Sequence, residues 1–162
     1  MKCFLWITLM LHLPLASWAE VKEYTVAGDS MSPALVSGDK VIVDTDAKDP
    51  VQRGDLVAIS FTASPVPMVK RAAAIPGDRV EFRDNAAWVN GQKVREIDRQ
   101  RWQSTIKQIE HFGNRIPEGY YLILGDNPRN SRDSGRLGLI SSDHIKGRVV
   151  SVVKSFSNNE AP

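Results

Sequence analysis

Short runs of apolar and β-branched residues recur along most of the chain, and each is bounded by glycine, aspartate or asparagine. Gly-Asp pairs at 38–39 and 54–55 each open such a run, and Asn90-Gly91 separates two of them. Runs of this kind predict β-strands, and Asn-Gly between two of them predicts a tight hairpin. The predicted strands cover residues 41–43, 56–61, 80–82, 87–89, 92–94, 120–124 and 147–153. The pattern therefore indicates a mainly β fold.

Residues 95–115 depart from this pattern. Apolar side chains recur there at roughly helical spacing with charged residues between them, namely Ile97, Trp102, Ile106, Ile109 and Phe112. Gly113 is a suitable end for a helix. We expect a short insert at about 95–115, either helical or irregular. No linker is long or polar enough to divide residues 21–162, so we expect a single domain there.

The first 20 residues have the pattern of an export signal. Lys2 is followed by an uncharged run from Cys3 to Ala19, and Ser17-Trp18-Ala19 has the small residues of a cleavage site. The run is also close to the shortest that crosses a bilayer. The leader at 1–20 is thus either a retained anchor or a cleaved signal peptide. Under either interpretation, the rest of the chain is expected to be exported.

Composition argues against several classes of function. The formal net charge is +2 and no block of Lys and Arg is present, so nucleic acid is not an expected partner. Cys3, the only cysteine, lies in the leader, and the chain has three histidines. This composition does not favour a disulfide framework or a zinc site in the body. We expect no metal and no cofactor.

A serine in residues 28–33, Gly-Asp-Ser-Met-Ser-Pro, is the first candidate for chemistry. The glycine and proline predict a turn that exposes the Ser30 hydroxyl among backbone amides. Pro33 fits the first turn of a short helix with Ser32 as its cap. A serine hydroxyl is a weak nucleophile until a nearby base takes its proton, so Ser30 needs a partner.

Lys70 is the candidate for that base. It follows Met68 and Val69 and precedes a run of three alanines and an isoleucine at 72–75. Burial among such side chains disfavours the charged ammonium and lowers the pKa of a lysine. A neutral Lys70 beside Ser30 would form the Ser–Lys variant of the serine-hydrolase constellation. His111 and His144 lack a glycine-rich or apolar setting, and we expect them on the surface.

Four segments, in this order along the chain, resemble the motifs of the type I signal peptidase family. They are Gly-Asp-Ser-Met-Ser-Pro-Ala-Leu-Val-Ser-Gly-Asp at 28–39, Arg-Gly-Asp-Leu-Val-Ala at 53–58, Lys-Arg-Ala-Ala-Ala-Ile-Pro-Gly-Asp-Arg-Val at 70–80 and Leu-Gly-Asp-Asn-Pro-Arg-Asn-Ser-Arg-Asp-Ser at 124–134. The resemblance extends over nearly the whole body. It implies a signal-peptidase-like fold of two β-sheets and a membrane-bound Ser–Lys peptidase.

The resemblance also implies a role for each matching residue. Ser30 is the expected nucleophile, and its backbone N–H is one expected oxyanion donor. Lys70 is the expected general base, and Ser131 is expected to orient it by a hydrogen bond. Ion pairs that hold the site together are expected from Arg71, Asp126 and Asp133. Shallow apolar pockets that accept alanine-sized side chains are expected at Met31, Leu35, Met68 and Val69.

Two positions depart from the family pattern. Some members carry a serine two residues before the nucleophile as a second oxyanion donor, and here that position is Gly28. The last motif usually continues Asp-Ser-Arg, whereas Asp133-Ser134 is followed here by Gly135 and Arg136. Loss of one oxyanion donor costs about 10²–10³ in rate, so we expect weaker catalysis. Arg136 is the candidate to replace the absent arginine.

The resulting hypothesis is a serine endopeptidase that removes leader sequences from exported preproteins after small residues. Its expected location is the outer, periplasmic side of a bacterial inner membrane, or the periplasm if the leader is cleaved. Two alternatives remain open, a dedicated maturase of a conjugative pilin precursor and an inactive homologue that binds signal sequences. A self-cleaving repressor is disfavoured because an apolar leader stands where its DNA-binding module would be.

Overall fold

The computed structural model describes residues 20–47, 49–61 and 66–155, which form two antiparallel sheets with short helices. The strands are β1 (Val21–Thr25), β2 (Lys40–Asp44), β3 (Leu56–Ile59), β4 (Met68–Ala74), β5 (Val80–Arg83), β6 (Ala86–Val89), β7 (Gln92–Glu96), β8 (Tyr120–Leu124), β9 (Ile140–Ser141) and β10 (Ile145–Val153). The α-helices are α1 (Gln103–His111) and α2 (Ser134–Leu137), and single 3₁₀ turns occupy Pro128–Asn130 and Ser142–His144. The predicted mainly β, two-sheet fold is confirmed.

The larger sheet has seven strands in the order β1-β2-β10-β3-β4-β8-β9. The last strand in sequence, β10, therefore lies between β2 and β3, near the middle of the sheet. β10 shifts register against both neighbours, and Gly147 lies at one of these irregularities. A Cβ on Gly147 would collide with the carbonyl oxygen of Asp44, so glycine allows β10 to approach β2.

The smaller sheet has the order β5-β6-β7. Asn90 and Gly91 have φ of 49° and 82° and join β6 to β7, with Val89 paired to Gln92. Positive φ at both central residues is the geometry of a type I′ turn, which explains why Asn-Gly identified this hairpin.

The predicted insert contains α1, so its helical alternative is the one formed. The helix begins later than the apolar spacing suggests, at Gln103, because Asp98 Oδ1 accepts the backbone N–H of Gln100 at 2.9 Å in a preceding turn. Ile106 and Ile109 are buried in the core between the helix and the small sheet. The insert thus packs on the fold as part of its core.

Residues 1–19 of the leader predicted at 1–20 lie outside the described residues, and the boundary of the single domain stays a prediction. In the part of the chain that the structure describes, no helix has the length and apolar character needed to cross a bilayer.

Candidate active site

Ser30 lies on the loop that joins β1 to β2. Val26 N donates to Asp39 O at 2.7 Å and closes the loop at its base. Leu35 N donates to Met31 O at 2.9 Å and closes a single turn that does not continue as a helix. The short helix predicted after Ser32 is therefore wrong, and the segment from Ser30 to Ala34 is a turn that contains a cis Ser32–Pro33 bond.

Asp39 anchors this loop from its far end, a role that was not predicted. It is fully buried and accepts hydrogen bonds from the backbone N–H groups of Val36 and Ser155 at 3.0 and 2.9 Å. Lys154 Nζ also donates to it, at 2.9 Å. The two backbone hydrogen bonds, followed by the one from Lys154, hold the pKa of Asp39 well below its usual range. The end of β10 is thereby tied to the loop that carries Ser30.

Lys70 lies within β4, a strand that the sequence pattern missed. Alternate residues of β4 are buried, and Lys70, with 3% of its surface exposed, belongs to the buried set with Ala72 and Ala74. Its Nζ donates hydrogen bonds to Ser30 Oγ at 2.8 Å and to Val69 O at 2.9 Å. The two candidates predicted from separate motifs are therefore in direct contact.

Burial lowers the pKa of Lys70 below its ordinary value, because the ammonium loses its hydration among apolar neighbours. Two carboxylates act against this effect, Asp133 more than Asp126, since each favours the charged lysine. The desolvation outweighs them. The net direction favours a neutral amine beside the serine hydroxyl.

Both carboxylates are paired with arginines. Arg71 Nε and Nη2 donate to the two oxygens of Asp126 at 2.9 and 2.7 Å, and Arg71 Nη1 donates to Gly54 O at 2.8 Å. The partner of Asp133 is Arg95 on β7, with Nη1 at 2.8 Å from Oδ2. Arg136, the sequence-based candidate for this partner, is exposed, so that expectation is wrong.

Ser131 lies near Ser30 and Lys70 without a hydrogen bond to either. The residue is 3% exposed, and its Oγ has no hydrogen-bond partner among the described residues. Gly125 separates it from Ser30, since a Cβ there would lie 2.6 Å from the carbonyl oxygen of Ser30 and closer still to Ser131 Oγ. Arg101 of the insert donates to the Ser131 carbonyl at 2.6 Å and fixes its backbone. In this conformation the acceptors of Lys70 are Ser30 and Val69, not Ser131.

A cleft of about 330 Å³ opens over Ser30 and Lys70. Met31, Met68 and Val69 line it, as expected, and Arg132 stands on its rim. Leu35 does not line the cleft; it is 1% exposed and packs behind Met31 in the same apolar cluster.

Gly28 is exposed at φ 81°, and space for a side chain is open around it. A glycine has no hydroxyl to donate, so the expectation that this position supplies no side-chain oxyanion donor stays a prediction about catalysis. The backbone N–H of Ser30 donates to none of the described residues and is available.

The two histidines considered as alternative bases lie away from the cleft. His111 lies against Phe112 and His144 against Phe61, and neither lines the cleft.

Comparisons with known proteins agree with the motifs. The family model for signal peptidase, peptidase S26, matches residues 1–154. Signal peptidase I T of Bacillus subtilis is 34% identical over 135 residues, 78% of this chain and 70% of the relative. Signal peptidase IB of Staphylococcus aureus is 33% identical over 145 residues, 80% of this chain and 75% of the relative. A crystal structure of a signal peptidase I from Enterococcus faecalis aligns with 64% of this chain and all of that chain at 25% identity and a TM-score of 0.44.

Proposed function

Because the chain belongs to the signal peptidase family S26 and is a serine peptidase, we propose that it removes signal peptides from exported proteins with Ser30 and Lys70 as its catalytic pair. The observation that carries the proposal is the 2.8 Å between Lys70 Nζ and Ser30 Oγ at a lysine that is 3% exposed. A buried amine within hydrogen-bond reach of a hydroxyl is well placed to take its proton.

The reaction follows from this geometry. Neutral Lys70 accepts the hydroxyl proton of Ser30, and Oγ attacks the scissile carbonyl carbon. The carbon–nitrogen bond then breaks, the leaving amine takes the proton from Lys70, and the acyl group stays on Ser30. Water then gives a proton to the Lys70 amine, and its oxygen attacks the ester carbonyl carbon. The ester bond breaks, Ser30 Oγ takes the proton back from Lys70, and the signal peptide leaves with a new carboxyl end. The backbone N–H of Ser30 stabilises the oxyanion in both steps.

The shape of the cleft supports cleavage after small residues. Met31, Met68 and Val69 present apolar walls next to the dyad in a cleft of about 330 Å³. Side chains the size of alanine fit shallow pockets of this kind. We propose that the enzyme works at the outer face of the membrane, where the leader of a preprotein emerges.

The test combines trapping with cleavage. Purified protein is treated with a serine-reactive acylating inhibitor, and the adduct is located by mass spectrometry; cleavage of a general preprotein and of a pilin precursor is then compared. An adduct on Ser30 and cleavage after a small residue are expected. Cleavage of the pilin precursor alone would identify the dedicated maturase. Binding of both substrates without an adduct or cleavage would overturn the proposal in favour of the inactive homologue.

Ser131→Ala should separate catalysis from stability. We propose that the Ser131 hydroxyl bonds Lys70 only as the reaction proceeds, because its oxygen is buried beside the dyad and unpartnered in the fold. A hydrogen bond to a charged group contributes about 1.5–3 kcal/mol, so kcat should fall by roughly 10- to 100-fold. The melting temperature should stay the same or rise, since no folded-state bond is lost. A variant with the kcat of the unaltered enzyme would reassign Ser131 as an ordinary loop residue.

A further inference from the structure

Arg95 brings a charge from the small sheet into the region of the dyad. It lies on β7, where neighbouring strand residues are exposed, yet its side chain is only 10% exposed. Its partner Asp133 is 2% exposed, and Nη1 lies 2.8 Å from Oδ2. Removing one member of a buried ion pair leaves an uncompensated charge, which costs far more than loss of a surface pair.

The Arg95–Asp133 pair holds one peptide segment from two sides. Asp133 Oδ2 accepts the backbone N–H of Gly125 at 3.0 Å, and Arg95 Nη2 donates to the carbonyl oxygen of Gly125. Gly125 in turn abuts the carbonyl oxygen of Ser30 and the hydroxyl of Ser131. Asn127, two residues on, donates its backbone N–H to the same Ser30 carbonyl at 3.0 Å. The arginine is therefore two contacts away from the nucleophile.

No other arginine is placed to serve Asp133 in the part of the chain described. At position 135 a Cβ would lie 2.6 Å from the indole nitrogen of Trp102, so the insert leaves no space for a side chain there. Arg136 points its side chain to solvent as an exposed residue of α2. Arg71 is fully engaged by Asp126 and Gly54.

We propose that Arg95 is a positioning residue of the peptidase site, holding Asp133 and Gly125 so that the segment 125–133 stays packed against Ser30 and Lys70. The inference rests on the proposed function, since it assigns a role toward that catalytic pair. Arg95 has a second effect through charge. Its guanidinium compensates the carboxylate that acts on Lys70 most strongly among its neighbours.

Charged groups near Lys70 lie on several elements. Two carboxylates act on it, Asp133 before α2 and Asp126 after β8, and their partners are Arg95 on β7 and Arg71 on β4. Arg132 lines the same cleft, and Asp29 precedes Ser30. Asp29 is held by the side chains of Asn127 and Asn130. Without Arg95, Asp133 would be the one buried carboxylate of this set left without a cation. An unpaired carboxylate favours the ammonium form of Lys70 and so opposes its action as a base.

The experiment measures acylation of Ser30 against pH, using a serine-reactive acylating inhibitor and mass spectrometry. Arg95→Gln is compared with Arg95→Lys and with Arg79→Gln. The last variant makes the same change at the residue before β5 of the small sheet, where Arg79 pairs with the partly exposed Glu81 and not with Asp133. We expect Arg95→Gln to slow acylation at neutral pH on the order of tenfold and to move the rate curve to higher pH. Arg79→Gln should match the unaltered enzyme.

Arg95→Lys keeps the charge but cannot contact Asp133 and Gly125 with two nitrogens at once. Its acylation rate should therefore fall while the pH dependence of the rate stays unchanged. The double variant Arg95→Gln/Asp133→Asn removes both charges, so its pH–rate curve should return toward that of the unaltered enzyme. If Arg95→Gln does not fold, the double variant is measured in its place. A curve for Arg95→Gln that coincides with that of the unaltered enzyme, or a uniform loss of rate at unchanged pH dependence, would overturn the inference. Failure of the proposed function is distinct, since the unaltered protein would then give no adduct on Ser30, or labelling would persist in Ser30→Ala.

Discussion

Ser30→Ala is expected to lower kcat by about 10⁴- to 10⁶-fold, because the variant has no oxygen to form the acyl intermediate. The fold should be unaffected, since the described bond of this hydroxyl is the one with Lys70. Preprotein cleavage followed by gel electrophoresis, with circular dichroism as the folding check, measures both effects. Labelling by the acylating inhibitor should disappear as well.

Ser37→Ala is the matched control for this prediction. Ser37 is exposed on the same loop and does not line the cleft, so its loss removes a hydroxyl without touching the dyad. Cleavage should continue at the rate of the unaltered enzyme. If Ser30→Ala also retained that rate, the nucleophile would have to be another residue, and the mechanism would be withdrawn.

Lys70→Met and Lys70→Arg should each reduce kcat by on the order of 10⁴-fold or more, as expected when one member of a catalytic unit is removed. Methionine preserves the apolar stem without a base, and arginine cannot lose its proton near neutral pH. Lys22→Met, which removes an exposed lysine paired with Glu20, should leave cleavage unchanged. An active Lys70→Arg would exclude a neutral amine as the base.

The pH dependence of the unaltered enzyme is a second test of neutral Lys70 as the general base. Since burial lowers the pKa of Lys70, kcat/KM should rise with pH through a single ionisation below that of an exposed lysine. Stability should also rise with pH. Between the pKa of Lys70 in the folded protein and its higher pKa in the unfolded chain, the unfolded chain binds more protons, so the free energy of unfolding increases with pH. Lys70→Met should lack this rise. A rate that titrates instead like an ordinary histidine, and is lost in His144→Ala, would contradict the assignment.

The sequence predicted the local elements that carry their own signals. The Asn90-Gly91 hairpin and β8 follow from turn chemistry and a continuous apolar run. β4 was missed because Lys70 and Arg71 interrupt its apolar run, and a buried lysine looks like an exposed one until its neighbours are known. β1 was missed because it is a polar edge strand with little buried surface.

Residues of the candidate site also differ in whether a local motif identifies them. Ser30 and Lys70 could be named from their motifs, although they are 40 positions apart. Arg95 could not, because β7 reads as a short polar strand and nothing near it indicates a partner 38 positions away. Likewise, Leu35 resembles a pocket residue in sequence, and only packing assigns it to the core. Local patterns report turns and strands, whereas pairs between distant segments depend on how the sheets come together.

The central place of β10 has a consequence for when this protein becomes active. During synthesis from the N-terminus, β2 and β3 appear long before the strand that must enter between them, and the Lys154–Asp39 bond that fixes the Ser30 loop forms only after residue 154 has been made. Sheet pairings over such sequence separations form slowly. A chain in which β10 has not yet paired would carry Ser30 and Lys70 on a loop that nothing holds at its far end. The topology thus makes assembly of the proposed catalytic pair one of the last events of folding.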